Sequence, residues 1–209
     1  PILTKIKFYI MKKIFTILGI AAITSMSAQT VFTQWNFDAS PSPVATSTGV
    51  GTITLIGGVV ENTQTGTTAC NCPYVNGNPS TGKAYTTKTY PAQGTVSGTA
   101  GIQFSVSTVG VSAISASVDV LGSNTASKYV QVQYTTDGST WINVTATPTS
   151  LAPSTWSTVA TNLPATAGNN ANFALRVVSV FDPANNTSYS AMGTTSTYAS
   201  GGALRFDNV

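Results

Sequence analysis

The sequence contains no histidine, a single glutamate (Glu61) and five aspartates, Asp38, Asp119, Asp137, Asp182 and Asp207. Without histidine, a serine or threonine nucleophile has no ordinary base. A pair of carboxylates such as Asp119 and Asp137 remains for hydrolysis, but nothing in the sequence sets any pair at the separation a glycosidase needs. The chain is therefore expected not to be an enzyme. Charge is scarce altogether, at 7% of residues, where an average soluble domain carries roughly 25%. Four of the nine basic residues, Lys5, Lys7, Lys12 and Lys13, fall in the first thirteen positions. From Gln29 onward, Lys83, Lys88, Lys128, Arg176 and Arg205 face the six acids, a net charge of −1. No basic cluster is left to neutralise phosphates, which argues against nucleic acid as a partner. Only two cysteines occur, Cys70 and Cys72 in "TTACNCPY". A disulfide between them would close a strained ring, and a zinc site would lack further soft ligands, so they read as loop thiols or one unusual bond. The glycines of "GVGTITLIGG" are followed by no lysine and no helix, so they do not form a phosphate loop.

No apolar run approaches the roughly 20 residues of a membrane-spanning helix. The segment "MKKIFTILGIAAITSMSAQT", beginning at Met11, instead has a positive start at Lys12 and Lys13, an apolar stretch from Ile14 to Ile23 and small residues ending at Ala28. That is the pattern of a secretory signal peptide over residues 11–28, with cleavage expected before Gln29. Residues 1–10 precede Met11, the expected initiator methionine, and read as upstream sequence outside the native chain. The expected product is secreted or held at the cell surface, with no membrane insertion after cleavage. Residues 29–209 are expected to form one domain, truncated at its C-terminal end, because the chain stops flush with an apparent strand.

What the sequence has in quantity is Thr, Ser, Gly and Asn between short runs that alternate apolar and polar residues. "VFTQWNFD" (31–38) alternates, with Trp35 and Phe37 on one side and Gln34, Asn36 and Asp38 on the other. "TITLIGGVV" (52–60) carries a glycine pair that predicts a bend. "KAYTTKTY" (83–90), "GIQFSVSTV" (101–109) and "AISASVDVL" (113–121) follow, then the run from Tyr129 to Tyr134, "WINVTA" (141–146), "STWSTVATNL" (154–163), "NFALRVVSVF" (172–181) and "ALRFDNV" (203–209). Residues 62–82 lack periodicity and read as a long loop. No window outside the leader has helical periodicity. The pattern predicts an all-β, antiparallel two-sheet sandwich, jelly-roll-like, with about ten strands.

The stretches "GIQFSVSTVGVSAISASVDVLGSNTASKYVQVQYTTDGSTW" and "FALRVVSVFDP" with the closing "YASGGALRFDNV" resemble a β-sandwich module of large secreted and surface proteins of Bacteroidetes. Its motifs here are "SNTAS", "QYTTDG" and "RFDNV", and the resemblance covers nearly all of the expected mature chain. It implies a module that accompanies secreted hydrolases or occurs in adhesins, often alongside a type IX secretion sorting domain. It implies no activity of its own, since similarity of fold does not assign a ligand.

Two sets of residues are candidates for binding. Sugars stack their C–H faces on aromatic rings and offer their hydroxyls to amides, and Tyr129, Gln131, Gln133, Trp141 and Asn143 supply those groups across one hairpin. Tyr129, Gln131 and Gln133 share a face at period two, whereas a slip of one residue would turn Trp141 into the core. Tyr74, Tyr189 and Tyr198 are rival platforms. The turn "TTDGST" puts Asp137 and Gly138 where a tight hairpin wants positive φ. If the first and last strands pair, Asp38 and Asp207 come close, with Asn36 and Asn208 as further oxygen donors, which would suit a structural calcium. No other cofactor is expected. The expected function is a non-catalytic extracellular binding, adhesion or spacer module whose partner is a glycan or a cell-surface or extracellular protein. The alternative is an accessory domain of a larger secreted hydrolase with its catalytic domain elsewhere.

Overall fold

Alternating apolar residues become strands wherever one side of the run finds a core, and the computed structural model of this chain has twelve strands among its described residues. It describes residues 30–38, 44–62 and 74–209, with the side chains of 74–76 left aside. The strands are β1 (Thr52–Ile56), β2 (Val60–Glu61), β3 (Tyr74–Asn76), β4 (Lys83–Lys88), β5 (Gly101–Ser105), β6 (Ser115–Gly122), β7 (Tyr129–Thr135), β8 (Ile142–Asn143), β9 (Thr149–Ser150), β10 (Ser157–Asn162), β11 (Ala174–Ser179) and β12 (Leu204–Asp207). One 3₁₀ turn, Ala165–Ala167, is the only helical element among the described residues.

The strands form two sheets in which every pairing is antiparallel. The first runs β1-β5-β11-β7-β8, with β9 also on β7; the second runs β10-β6-β12-β4-β2, with β3 also on β4. From β4 to β7 the chain changes sheet at every step, and it does so again from β10 to β12, which is the winding of a jelly roll. The inner faces meet in one core, with Ile102, Phe104, Val132, Leu175 and Val177 from the first sheet and Tyr85, Val118, Val120, Leu204 and Phe206 from the second. Burying these residues supplies the main stabilising term of such a fold.

The expected glycine bend is present. Gly57 and Gly58 have φ of +67° and +83° and turn the chain between β1 and β2. A side chain at Gly57 would also strike the Thr99 carbonyl oxygen, 2.5 Å from an ideal Cβ.

Two expectations are corrected. Residues 31–38 do not form a strand: Phe37 has a φ of +54°, incompatible with an extended run, and the segment pairs at separate points, one of them an isolated bridge between Gln34 and Thr48. It still closes the core, because Trp35 and Phe37 are buried and Trp35 exchanges two main-chain hydrogen bonds with Val209, both 2.9 Å. Within the expected loop 62–82, Tyr74–Asn76 forms β3 and pairs with β4. The leader, Cys70 and Cys72 lie outside the described residues.

Candidate functional site

Period-two alternation on the first sheet sends Val130, Val132 and Tyr134 of β7 inward and Tyr129, Gln131, Gln133 and Thr135 outward. The register then aligns one polar residue from each of five strands across the outer face: Thr54, Gln103, Arg176, Gln133 and Asn143. Side-chain hydrogen bonds tie the end of this row together. Arg176 Nε donates to Gln133 Oε1 at 2.7 Å, and Gln133 Nε2 donates to Asn143 Oδ1 at 2.7 Å.

Trp141 lies on this same face. The guanidinium carbon of Arg176 sits 4.0 Å from the centroid of the Trp141 ring, so a cation–π contact holds the indole on the outside of the sheet. The indole is half-buried and the pair shields the guanidinium from water, so burial pushes the Arg176 pKa down from its ordinary value. Beside the row runs an open groove of about 560 Å³, lined by Thr52, Gln103, Ser105, Gly138, Asn172 and Ala174 among others. Gln103 belongs to both row and groove.

The expected hairpin residues therefore divide. Gln133, Trp141 and Asn143 come together, and Arg176 and Gln103 join them. Gln131 is excluded as a contact residue, because it is only 2% exposed and its amide donates to Val132 O, Thr145 O and Thr145 Oγ1. Tyr129 sits four residues from Gln133, with the covered Gln131 between them, and carries its own cation, Lys128 Nζ, 5.6 Å from its ring centroid. Arg176 escaped notice in the sequence because "NFALRVVSVF" is otherwise apolar; a lone cation at an outward position of a strand was the available signal.

The turn after β7 spans the six residues 136–141. Gly138 has a φ of +78°, whereas Asp137 is not left-handed. Asp137 Oδ1 accepts the main-chain N–H of Thr140 at 2.6 Å and of Ser139 at 2.8 Å, and the Thr135 hydroxyl at 2.9 Å. These bonds hold its carboxyl well below the usual range, which makes it a turn cap. Two of the rival platforms are structural. Tyr189 and Tyr198 are buried, stack at 4.5 Å between centroids, and donate their hydroxyls to Val96 O and Pro91 O. Tyr74 falls in β3, where side chains are not described.

On the outer side of the second sheet, Asp119 and Asp207 stand directly opposite one another, and the turn after β3 folds against them. Asp207 accepts the N–H of Asn78 at 2.6 Å and of Asn208 at 2.8 Å. Asp119 accepts the amides of Asn78 and Asn208 at 3.0 and 2.9 Å and the Thr158 hydroxyl at 2.6 Å. Asp38 accepts the N–H of Lys83 at 2.7 Å. Burial first, then the charges of Asp38 and Asp119, raise the Asp207 pKa from 3.8 to about 6. Asn208 donates its amide nitrogen to Asn78 O and to Asp119, and Asn36 Oδ1 accepts from Asp38 N. Among the described residues no group of three or more acidic or cysteine side chains is arranged to hold a metal ion. Nor is any described helix long and apolar enough to cross a membrane. No protein-family model matches the chain, and the curated proteins offer no match to it either.

Proposed function

We propose that this chain is a non-catalytic module, secreted or held at the cell surface, that binds a glycan on the outer face of its first sheet. The observation supporting this reading is Trp141 turned outward on Arg176, with Gln133 and Asn143 beside it. An indole face takes the C–H face of a sugar ring, while amides in fixed positions meet its hydroxyls. The Arg176–Gln133–Asn143 chain preorganises those amides, which lowers the entropy cost of binding. The adjoining groove offers room for further sugar units. The resemblance to modules of secreted Bacteroidetes proteins and the leader at residues 11–28 support the location. A protein partner on the cell surface would use the same face.

A glycan array probed with the secreted chain tests the proposal. Trp141→Ala should abolish the signal with an unchanged circular dichroism spectrum; binding that survives this substitution moves the site elsewhere. If the chain is instead the accessory part of a larger hydrolase, binding persists but the polypeptide also carries a separate catalytic domain, which longer genomic sequence would reveal. A structural calcium at Asp38 and Asp207 would show itself as a higher melting temperature in millimolar calcium than in EDTA.

A further inference from the structure

The six strands of the first sheet read TITLI, GIQFS, YVQVQYT, IN, TS and ALRVVS, and Arg176 is the one charged residue in all of them. It sits on β11, the middle strand of the sheet, and faces outward. Its plane is fixed by the Trp141 ring, and its Nε is fixed by Gln133. Among the described residues its terminal nitrogens, Nη1 and Nη2, have no hydrogen-bond acceptor and no carboxylate within ion-pair reach. Asp137, the acid of the adjoining turn, is occupied by the N–H groups of Ser139 and Thr140. A neutral side chain would pack against Trp141 without the cost of partly desolvating an unpaired cation. What a guanidinium adds is a rigid fork of donors matched to the two oxygens of a carboxylate.

From this geometry we infer that the module selects an acidic glycan, and that Arg176 reads the carboxylate of a uronate residue while Trp141 stacks the neighbouring sugar face. The inference rests on the glycan-binding reading and adds the class of sugar. One bidentate carboxylate contact, screened by solvent on one side, is expected to favour the acid over its neutral form by roughly 10-fold.

Isothermal titration of the secreted chain with oligogalacturonate and with the same oligomer fully methyl-esterified separates the two claims. The expected result is binding of the acid roughly 10-fold tighter than of the ester, with intrinsic tryptophan emission changing on binding in the wild type and not in Trp141→Phe. Oligomers of glucuronate and mannuronate extend the same comparison to other backbones. Arg176→Gln should bring acid and ester to equal affinity, and Arg176→Lys, which keeps the charge but not the fork, should restore little of the preference. Equal affinity of the wild type for acid and ester overturns the inference and leaves glycan binding standing. Absence of binding to every acidic and neutral oligomer overturns both. The acid–ester comparison is made on the wild type, so the result does not depend on a variant that folds poorly.

Discussion

Lowering the pH from 7 to 5 should make this protein more stable, against the usual direction for a carboxylate-bearing surface. The cause is Asp207, only 2% exposed, facing Asp119 across the strand pair and Asp38 beyond it. Its folded-state pKa, about 6, lies above the ordinary 3.8. Between those values the folded chain holds a proton that the unfolded chain has released. Stability from this group is then fully present below 3.8 and is lost as pH rises through about 6. A shift of that size corresponds to about 3 kcal/mol, and solvent screening at the exposed Asp38 end brings the expected gain to ~1–2 kcal/mol. Urea titrations in EDTA at pH 7, 6, 5 and 4.5 read it directly. With an m-value of about 2 kcal/mol/M, the midpoint should rise by about 0.5–1 M between pH 7 and 4.5. Asp207→Asn should flatten that slope. Its absolute stability is a poorer guide, because one asparagine oxygen cannot accept both N–H groups that Asp207 now satisfies. A wild-type midpoint that falls steadily from pH 7 to 4.5, or a slope unchanged in Asp207→Asn, would refute the reasoning.

Below pH 4 the trend should reverse, since Asp137 and Asp182 are held below their ordinary values by hydrogen bonds; stability they contribute above that range is lost as they protonate, and Asp137→Ala should weaken the acid limb of the curve. Thr86→Val should stabilise the fold by ~1 kcal/mol, because the Thr86 hydroxyl is buried with no partner among the described residues; calorimetry should show a melting temperature about 2–4 °C higher. Trp35→Ala should cost about 3–5 kcal/mol, since its ring is 2% exposed and packs 5.2 Å from Phe104. A loss below 1 kcal/mol in urea denaturation would mean the segment before β1 is dispensable to the core.

Much of the sandwich was legible because antiparallel strands with one wet face write their environment into every second residue. Ile102 and Phe104, or Val118 and Val120, could face only a core, and they do. The segment at 31–38 shows where that reading stops. Trp35 and Phe37 share one side of the alternation and are both buried, but alternation measures burial and not hydrogen bonding, and the left-handed Phe37 leaves no continuous ladder. Gln131 shows the converse. It alternates with the core as a wet residue should, yet the chain around Thr145 covers it.

By itself, the sequence determined the composition of the two faces and the glycine bend after β1. These are local properties, set by residue type and by a period of two. Only the tertiary structure decided that Arg176, from a strand more than thirty positions away in the chain, lies beside Gln133 and over Trp141. It also decided that Asp207 is crowded by Asp38 and Asp119. Both outcomes depend on strand order and register, which bring distant residues side by side and leave no mark on the sequence around any one of them.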